Sequence, residues 1–426
     1  MFDVLRRNPG FRRLWAAQVV SQLGDWIGRV AIVTRIAELS GVDGATTLGI
    51  LFALDISLRM LPGVVLGPLA GPLADRLPRR ALMFGADIGR AACVFGLVFV
   101  DTPSELPLLY ALLIAQMSLS TFFESAKSAA IPSTLAKGDL QSGYALSAAT
   151  WSTMLAVGSF LGGELMGPLG IERVLLLDAG TYLLSAVCLY GLVLPPVPIH
   201  PQRFSWRDVL SLTELRRAHR HARGLHLLPA VYAKIFWGGA GGFLVILNLA
   251  ATARYGLDEH GELDEARIAS ATGLLFLARG IGTGLGPVVS RYLFPSTSRS
   301  LRRQIGAGFL VALLGYLPFP LAPNFELAFA CVVFAHLGGS AIWVSSTVLW
   351  QRGAHDAFRG RLSALERSTF TLALTVGAFI AGFVFDASNS LQFTTWTNCA
   401  FVVVGGALWA WWSSVSPHGE EVPNQV

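Results

Sequence analysis

Two apolar segments are joined by the stretch Gly67-Pro68-Leu69-Ala70-Gly71-Pro72-Leu73-Ala74-Asp75-Arg76-Leu77-Pro78-Arg79-Arg80. Its small residues allow two helices to approach each other closely. Asp75 can accept hydrogen bonds at a helix end, and the three arginines favour the cytoplasmic side of a membrane. The stretch therefore predicts a cytoplasmic connection between two membrane helices.

The composition of the whole chain agrees with this interpretation. Of 426 residues, 53% are hydrophobic and only 14% are charged, whereas about 25% are charged in an ordinary soluble domain. Lipid rather than water must therefore face much of the chain. The net charge is +5, but the number of Lys and Arg residues is low for this length and argues against a nucleic-acid-binding protein.

Apolar stretches of about 20 residues predict membrane-spanning helices, and the chain has twelve of them. They lie near 11–38, 47–74, 81–100, 106–131, 143–167, 171–194, 227–254, 266–290, 303–322, 325–350, 361–385 and 392–413. The predicted division is an N-terminal six-helix bundle, a basic cytoplasmic linker, a C-terminal six-helix bundle and a cytoplasmic tail, over 1–194, 195–226, 227–416 and 417–426.

Basic residues between the spans predict the orientation. With the N-terminus inside, 22 Lys and Arg residues fall in the inner segments, and the outer segments keep only Arg173, Arg254 and Arg267. Both termini are therefore expected in the cytoplasm.

The two halves of the chain resemble each other. Leu146–Thr153 of the fifth span matches Leu362–Thr369 of the eleventh, and Arg59 and Arg279 each precede a Leu-Gly-Pro sequence in the second and eighth spans. Such repeats indicate duplication. They predict two bundles related by pseudo-twofold symmetry, with a substrate site between the halves near the bilayer midplane.

The stretch from Gly71 to Arg80 resembles the cytoplasmic loop signature of the major facilitator superfamily, Gly-x-Leu-Ala-Asp-Arg-x-x-Arg-Arg. More of the chain is similar to one branch, the drug and siderophore exporters of the macrolide and enterobactin efflux type. The matching residues are Phe11–Trp15, Ser21–Trp26, Asp87 with Arg90-Ala91, Leu177-Asp178-Ala179 with Ser185-Ala186, and Arg359–Ala364.

The resemblance implies the major facilitator fold, an all-α membrane protein of twelve transmembrane helices, and a secondary transporter that works by alternating access. It gives the signature residues a role in conformational change; these are Gly71, Asp75, Arg76, Arg79 and Arg80. The fifth span departs from the glycine-proline pattern of drug/proton antiporters, because Pro168 is displaced and Glu164 intrudes. Proton antiport is thus an expectation from the resemblance alone.

Ionisable residues inside the spans are candidates for function because their insertion is costly. Asp25 and Arg29 are four residues apart, as are Asp55 and Arg59, so each pair shares a helical face. They are either structural ion pairs or proton-coupling groups, in which an arginine responds when an aspartate is protonated.

Other charges suggest contacts with a substrate and with the gates. An anionic or zwitterionic substrate would be held by cavity cations, for which the candidates are Arg59, Arg279, Lys234 and Arg35. Inner-gate candidates, or alternatively ordinary helix-end salt bridges, are Glu124, Lys127, Glu366 and Arg367.

The sequence does not favour an enzyme or a metalloprotein. It lacks a Ser/His/Asp arrangement, a nucleotide-binding loop and a set of metal ligands with suitable spacing. We expect a monomeric exporter of an amphipathic small molecule in the bacterial cytoplasmic (inner) membrane, without a cofactor and driven by the proton gradient. The alternative is a lysophospholipid-type flippase or a uniporter of the same fold.

Overall fold

The computed structural model describes residues 3–41, 47–74, 76–195, 212–239, 241–295 and 297–415. Asp75 of the loop signature, residues 196–211 of the linker and the tail 417–426 lie outside this set. Within the described residues the regular elements are helices, and the β-type pairing is limited to one isolated bridge between Leu257 and Leu263.

Fifteen α-helices are described in chain order. They are α1 (Asp3–Arg7), α2 (Pro9–Gly41), α3 (Leu48–Val65), α4 (Gly67–Ala74), α5 (Arg79–Leu97), α6 (Leu106–Thr134), α7 (Leu140–Tyr190), α8 (Leu212–Gly224), α9 (Leu228–Gly239), α10 (Gly242–Ala253), α11 (Glu265–Leu293), α12 (Ser298–Tyr316), α13 (Phe325–Gly353), α14 (Asp356–Ser388) and α15 (Leu391–Val415).

These helices account for all twelve predicted spans. The long α7 is broken at Gly170, where φ is 75°, a conformation that glycine adopts without steric cost, so α7 supplies two spans. The second span is covered by α3 with α4, and the seventh by α9 with α10. In the described part of the chain, nine helical segments are long and apolar enough to cross a membrane by length and composition; dividing α7 and adding α2 and α5 gives twelve.

Two compact units make up the chain. Unit 1 comprises Met1–Val209 and Ala250–Leu277, and unit 2 comprises Leu210–Leu249 and Ala278–Val426. Both α10 and α11 therefore contribute residues to both units. The predicted bundle boundaries at 194 and 227 stay a prediction.

Close contact between α2 and α7 organises unit 1. A Cβ atom at Gly158 of α7 would lie 3.0 Å from the Leu23 carbonyl oxygen, and one at Gly162 would lie 2.9 Å from that of Ile27. A larger residue at either position would push the helices apart, since real Cβ atoms keep a greater distance. The two glycines thus bring the face of α2 that carries Leu23 and Ile27 against α7.

In unit 2, α12 and α13 make an equally close contact. A Cβ atom at Gly308 would lie 2.7 Å from the Gly338 carbonyl oxygen, and one at Gly315 would lie 2.7 Å from the Ala335 side chain. Helix α9 packs against α13, α14 and α15. This packing buries Lys234 of α9.

Candidate functional site

Asp25 of α2 lies at one end of a series of hydrogen-bonded side chains inside unit 1. Its Oδ1 accepts a hydrogen bond from the Tyr182 hydroxyl of α7, which itself accepts a 2.9 Å hydrogen bond from Gln116 Nε2 of α6. Tyr182 and Gln116 are buried, whereas 27% of the Asp25 side chain is exposed. Asp25 is therefore the partly exposed end of a hydrogen-bonded series whose other two members are buried.

Arg90 of α5 connects this series to a second carboxyl group. Its guanidinium group donates to Asp87, and its Nη1 lies 4.0 Å from Asp25 Oδ2. The rings of Phe123 and Tyr182 each lie 4.4 Å from its Cζ atom, so aromatic faces hold the guanidinium plane in place. One arginine thus contacts two aspartates.

Asp87 has hydrogen-bond donors of its own on both oxygens. Besides Arg90, it accepts a 2.7 Å hydrogen bond from the Ser185 hydroxyl of α7, and its side chain is fully buried. The guanidinium group and the hydroxyl group together fix the position of the Asp87 carboxyl group. Asp87 therefore anchors Arg90, whereas the 4.0 Å contact with Asp25 is the looser one.

Asp55 of α3 has two arginine partners. Arg59 Nε lies 2.8 Å from its Oδ1, as the four-residue spacing predicted, and Arg29 Nη2 lies 3.8 Å from its Oδ2. The Arg29 Cζ atom also lies 4.9 Å from the ring of Phe276. The sequence paired Arg29 with Asp25 on the same helix face, but the structure directs Arg29 towards α3 and Asp25 towards α5 and α7.

Two further predicted cations of unit 1 are in ion pairs. Arg35 bonds to Glu38 at 3.1 Å and to Glu172 of α7 at 2.6 Å. Lys127 bonds to Glu124 at 2.7 Å, where Glu124 is half exposed and Lys127 is buried. Their role in a cavity or gate stays a prediction.

Unit 2 contains a buried ion pair between α9 and α14. Lys234 Nζ lies 3.0 Å from Glu366 Oε1, donates to Thr347 Oγ1 at 2.6 Å and lies 3.9 Å from the Trp343 ring centroid. Glu366 Oε1 also accepts a 2.9 Å bond from Trp350 Nε1. The sequence suggested Lys234 as a substrate contact and Glu366 as a gate residue, whereas in the structure the two residues form one ion pair.

Two predicted residues of unit 2 lie apart from this pair. The neighbouring Arg367 is exposed. Arg279 of α11 lies close enough to Tyr316 and His336 for electrostatic interaction, and the Tyr316 hydroxyl and His336 Nε2 are 2.8 Å apart. His336 is thus a hydrogen-bonded core residue beside a cation.

The loop signature is tied to neighbouring helices by arginines. Arg79 donates to the carbonyl oxygens of Ala129 at 2.8 Å and Ala74 at 3.3 Å, and Arg80 donates to that of Tyr190 at 3.2 Å. Gly71 lies in α4, Arg76 is exposed in the following turn, and Asp75 is outside the described residues. The arginines therefore bind carbonyl oxygens at the C-terminal ends of α4 and α7.

Asp258 organises the acidic loop between α10 and α11. It accepts 2.8 Å hydrogen bonds from the backbone N–H groups of Glu262 and His260. These bonds, that of Glu262 first, lower the pKa of Asp258, because they stabilise the charged form. The carboxylate of Asp258 therefore keeps its negative charge at neutral pH.

Asp87, Arg90 and Asp178 stand out in the sequence only as residues shared with the drug and siderophore exporters, with no predicted role. A charged residue inside an apolar span was the available signal. Tyr182 and Gln116 gave no such signal, because tyrosine and glutamine are common at helix contacts. No group of three or more His, Cys, Asp or Glu residues in the described part of the chain is arranged to hold a metal ion.

Comparison with known proteins identifies relatives along most of the chain. The sequence model of the Major Facilitator Superfamily matches residues 14–295. BacE of Bacillus subtilis (strain 168), named as a proposed bacilysin exporter, is 30% identical over 374 residues, which cover 87% of each chain. Macrolide efflux protein A of Streptococcus pyogenes is 23% identical over 388 residues, 88% of this chain and 89% of that protein.

A solved structure has the same fold. The crystal structure of a bacterial homologue of the human lysosomal transporter Spinster superposes with a TM-score of 0.70 at 15% sequence identity, covering 97% of this chain and 98% of that chain. Together with the family match, this agreement confirms the all-α major facilitator fold.

Proposed function

We propose that this chain, which belongs to the Major Facilitator Superfamily, is a proton-coupled exporter of an amphipathic small molecule. It is a multi-pass membrane transporter and not an enzyme. Its similarity to BacE and to macrolide efflux protein A supports export as the direction of transport. The proposed location is the bacterial cytoplasmic membrane, where a monomer would use the proton gradient without a cofactor.

The observation that carries proton coupling is the sharing of Arg90 between Asp25 and Asp87. When Asp25 is ionised, it attracts Arg90 across 4.0 Å. Protonation removes this attraction and leaves Arg90 with Asp87 and the two aromatic rings. A proton on Asp25 thus changes the force between α2 and α5, which is what a coupled transporter requires.

Asp25 is better suited to this role than Asp55, the other candidate from the sequence. Asp55 is fully buried and has two guanidinium partners, so its carboxyl group is enclosed by other side chains. Asp25 is partly exposed, and its nearest guanidinium lies at 4.0 Å. We therefore assign the coupling proton to Asp25 and a structural ion pair to Asp55.

The cation contacts support a neutral or cationic cargo. Of the four cations that the sequence offered for an anionic substrate, Arg59, Lys234 and Arg35 are in ion pairs with acidic residues. An anionic lipid would have to break these pairs, at a cost in free energy. This observation favours the exporter over the lysophospholipid flippase.

The test uses proteoliposomes that contain purified protein and a pH-sensitive dye. They are challenged in turn with tetraphenylphosphonium, a catecholate siderophore and a lysophospholipid. We expect cargo-dependent proton flux in the wild type and in the exposed-loop control Glu259→Gln, and its loss in Asp25→Asn. Cargo that moves in the wild type without proton flux would instead establish a uniporter or flippase.

Comparison with Asp55→Asn assigns the site of coupling. If Asp25→Asn keeps its proton flux and Asp55→Asn loses it, the coupling proton belongs to Asp55. Counterflow of labelled cargo, which requires no proton gradient, is measured in each variant as a check on folding. We expect Asp25→Asn to retain it.

A further inference from the structure

The interior of unit 1 has one more carboxyl group than its guanidinium groups can balance. Away from the Arg35, Lys127 and Arg7–Asp139 pairs, its described charged side chains are Asp25, Asp55, Asp87 and Asp178 against Arg29, Arg59 and Arg90. An ionised carboxylate without a counter-charge is costly inside a membrane protein. One of the four aspartates is therefore expected to carry a proton.

The contacts identify this aspartate as Asp178 of α7. Asp55 and Asp87 each have an arginine at hydrogen-bonding distance, and Asp25 accepts the Tyr182 hydroxyl bond. Only 1% of Asp178 is exposed, and its Oδ1 has no hydrogen-bond partner among the described residues. The ion pairs described in this part of the chain do not include Asp178.

Two glycines of α2 form a slot for the Asp178 carboxyl group. A Cβ atom at Gly24 would lie 2.7 Å from Asp178 Oδ1, and a Cβ atom at Gly28 would lie 2.7 Å from its carboxyl carbon. Gly24 and Gly28 are one helical turn apart, so their bare faces lie one above the other. Any side chain at either position would displace the carboxyl group.

We propose that Asp178 is a proton-binding site, held neutral in the slot of Gly24 and Gly28 and exchanging its proton through Asp25. An ionised Asp178 would leave a buried oxygen without a partner, which disfavours the charged form. Asp25 directly follows Gly24 in the chain and is partly exposed, so it is the adjacent carboxyl group with access to the outside. In the exchange, a proton leaves an Asp178 oxygen and binds an Asp25 oxygen, and negative charge moves in the opposite direction.

The groups that face Asp178 are consistent with such an exchange. Asp25 of α2, Arg90 of α5 and Arg59 of α3 lie close enough to Asp178 for electrostatic interaction, and Thr181 and Tyr182 lie within the next turn of α7. When Asp25 takes up the proton, Arg90 and Arg59 are the cations that can stabilise the charge left on Asp178. The inference rests on the proposed proton coupling and adds a second carboxyl group to it.

Infrared spectroscopy of the purified full-length protein tests the site without a substrate. The carbonyl band of a protonated aspartate is identified by its shift on ¹³C-aspartate labelling. We expect this band in the wild type at neutral pH, and its loss in Asp178→Asn. In Asp25→Asn the band should remain, but its exchange in D₂O should slow by about a hundredfold, the scale of a positioned proton-transfer group.

Asp55→Asn, which removes a paired carboxylate, is the matched control and should keep the band. If Asp178→Asn does not fold, Gly28→Ala provides a second test, because its methyl group should displace the carboxyl group and shift the band. A wild type without the band, or a band that persists in Asp178→Asn and Gly28→Ala, would overturn the proposal. If the band behaves as expected but Asp25→Asn still transports protons with cargo, Asp178 binds a proton and the proposed coupling role of Asp25 fails.

Discussion

Removal of one partner of the Lys234–Glu366 pair should destabilise the protein strongly. Both side chains are more than nine-tenths buried, and their charged atoms are 3.0 Å apart. Glu366→Leu leaves the Lys234 ammonium group inside the protein without a counter-charge. Thr347 and the Trp343 ring remain as its partners, while Trp350 loses the acceptor of its N–H group.

These contacts set the expected magnitude. An isolated buried charge costs about 4 kcal/mol. The hydroxyl and aromatic contacts that remain offset about 2 kcal/mol, and the unsatisfied Trp350 N–H adds about 1 kcal/mol. The expected decrease in the free energy of unfolding is therefore about 3 kcal/mol.

The assay is SDS titration of the purified protein, followed by tryptophan fluorescence. The double variant Lys234→Met/Glu366→Leu removes both charges and should unfold within about 1 kcal/mol of the wild type. The exposed neighbour gives a control, Arg367→Leu, with an expected change below about 0.5 kcal/mol. If Glu366→Leu also changes the unfolding free energy by less than about 0.5 kcal/mol, the pair is not buried and the reasoning is refuted.

Two further outcomes follow from contacts of the loop signature and of α8. Arg79→Gln loses the bonds to Ala129 and Ala74, so transport turnover should fall about tenfold with unchanged cargo affinity; unchanged turnover in the proteoliposome assay would count against this. Burial, and then the nearby His355, lower the pKa of His221 below 6.5, and its ring stacks on Phe358. Because the folded state favours the neutral imidazole, the contact of α8 with Phe358 should be fully stable above pH 6.5 and should weaken as the pH falls below it. Limited proteolysis should therefore cut α8 faster at low pH, and His221→Phe should abolish this pH dependence.

The amino-acid sequence was sufficient to predict the class of fold. Hydropathy over about 20 residues located all twelve spans, because each helix must match the thickness of the bilayer by itself. It also predicted the contact between Asp55 and Arg59, since residues four apart meet on any α-helix. The glycines of the fifth span indicated close packing, and the structure identifies α2 as the partner.

The tertiary structure alone decided which charges meet. Asp25 is bonded to Tyr182, 157 positions away, and Lys234 pairs with Glu366 of another helix. Helical periodicity determines which residues share a face, but the rotation and height of each helix against its neighbours depend on the packing of many side chains at once. For this reason the sequence indicated charged candidates within the membrane, whereas the shared Arg90 and the slot around Asp178 emerged only when α2, α5 and α7 were brought together.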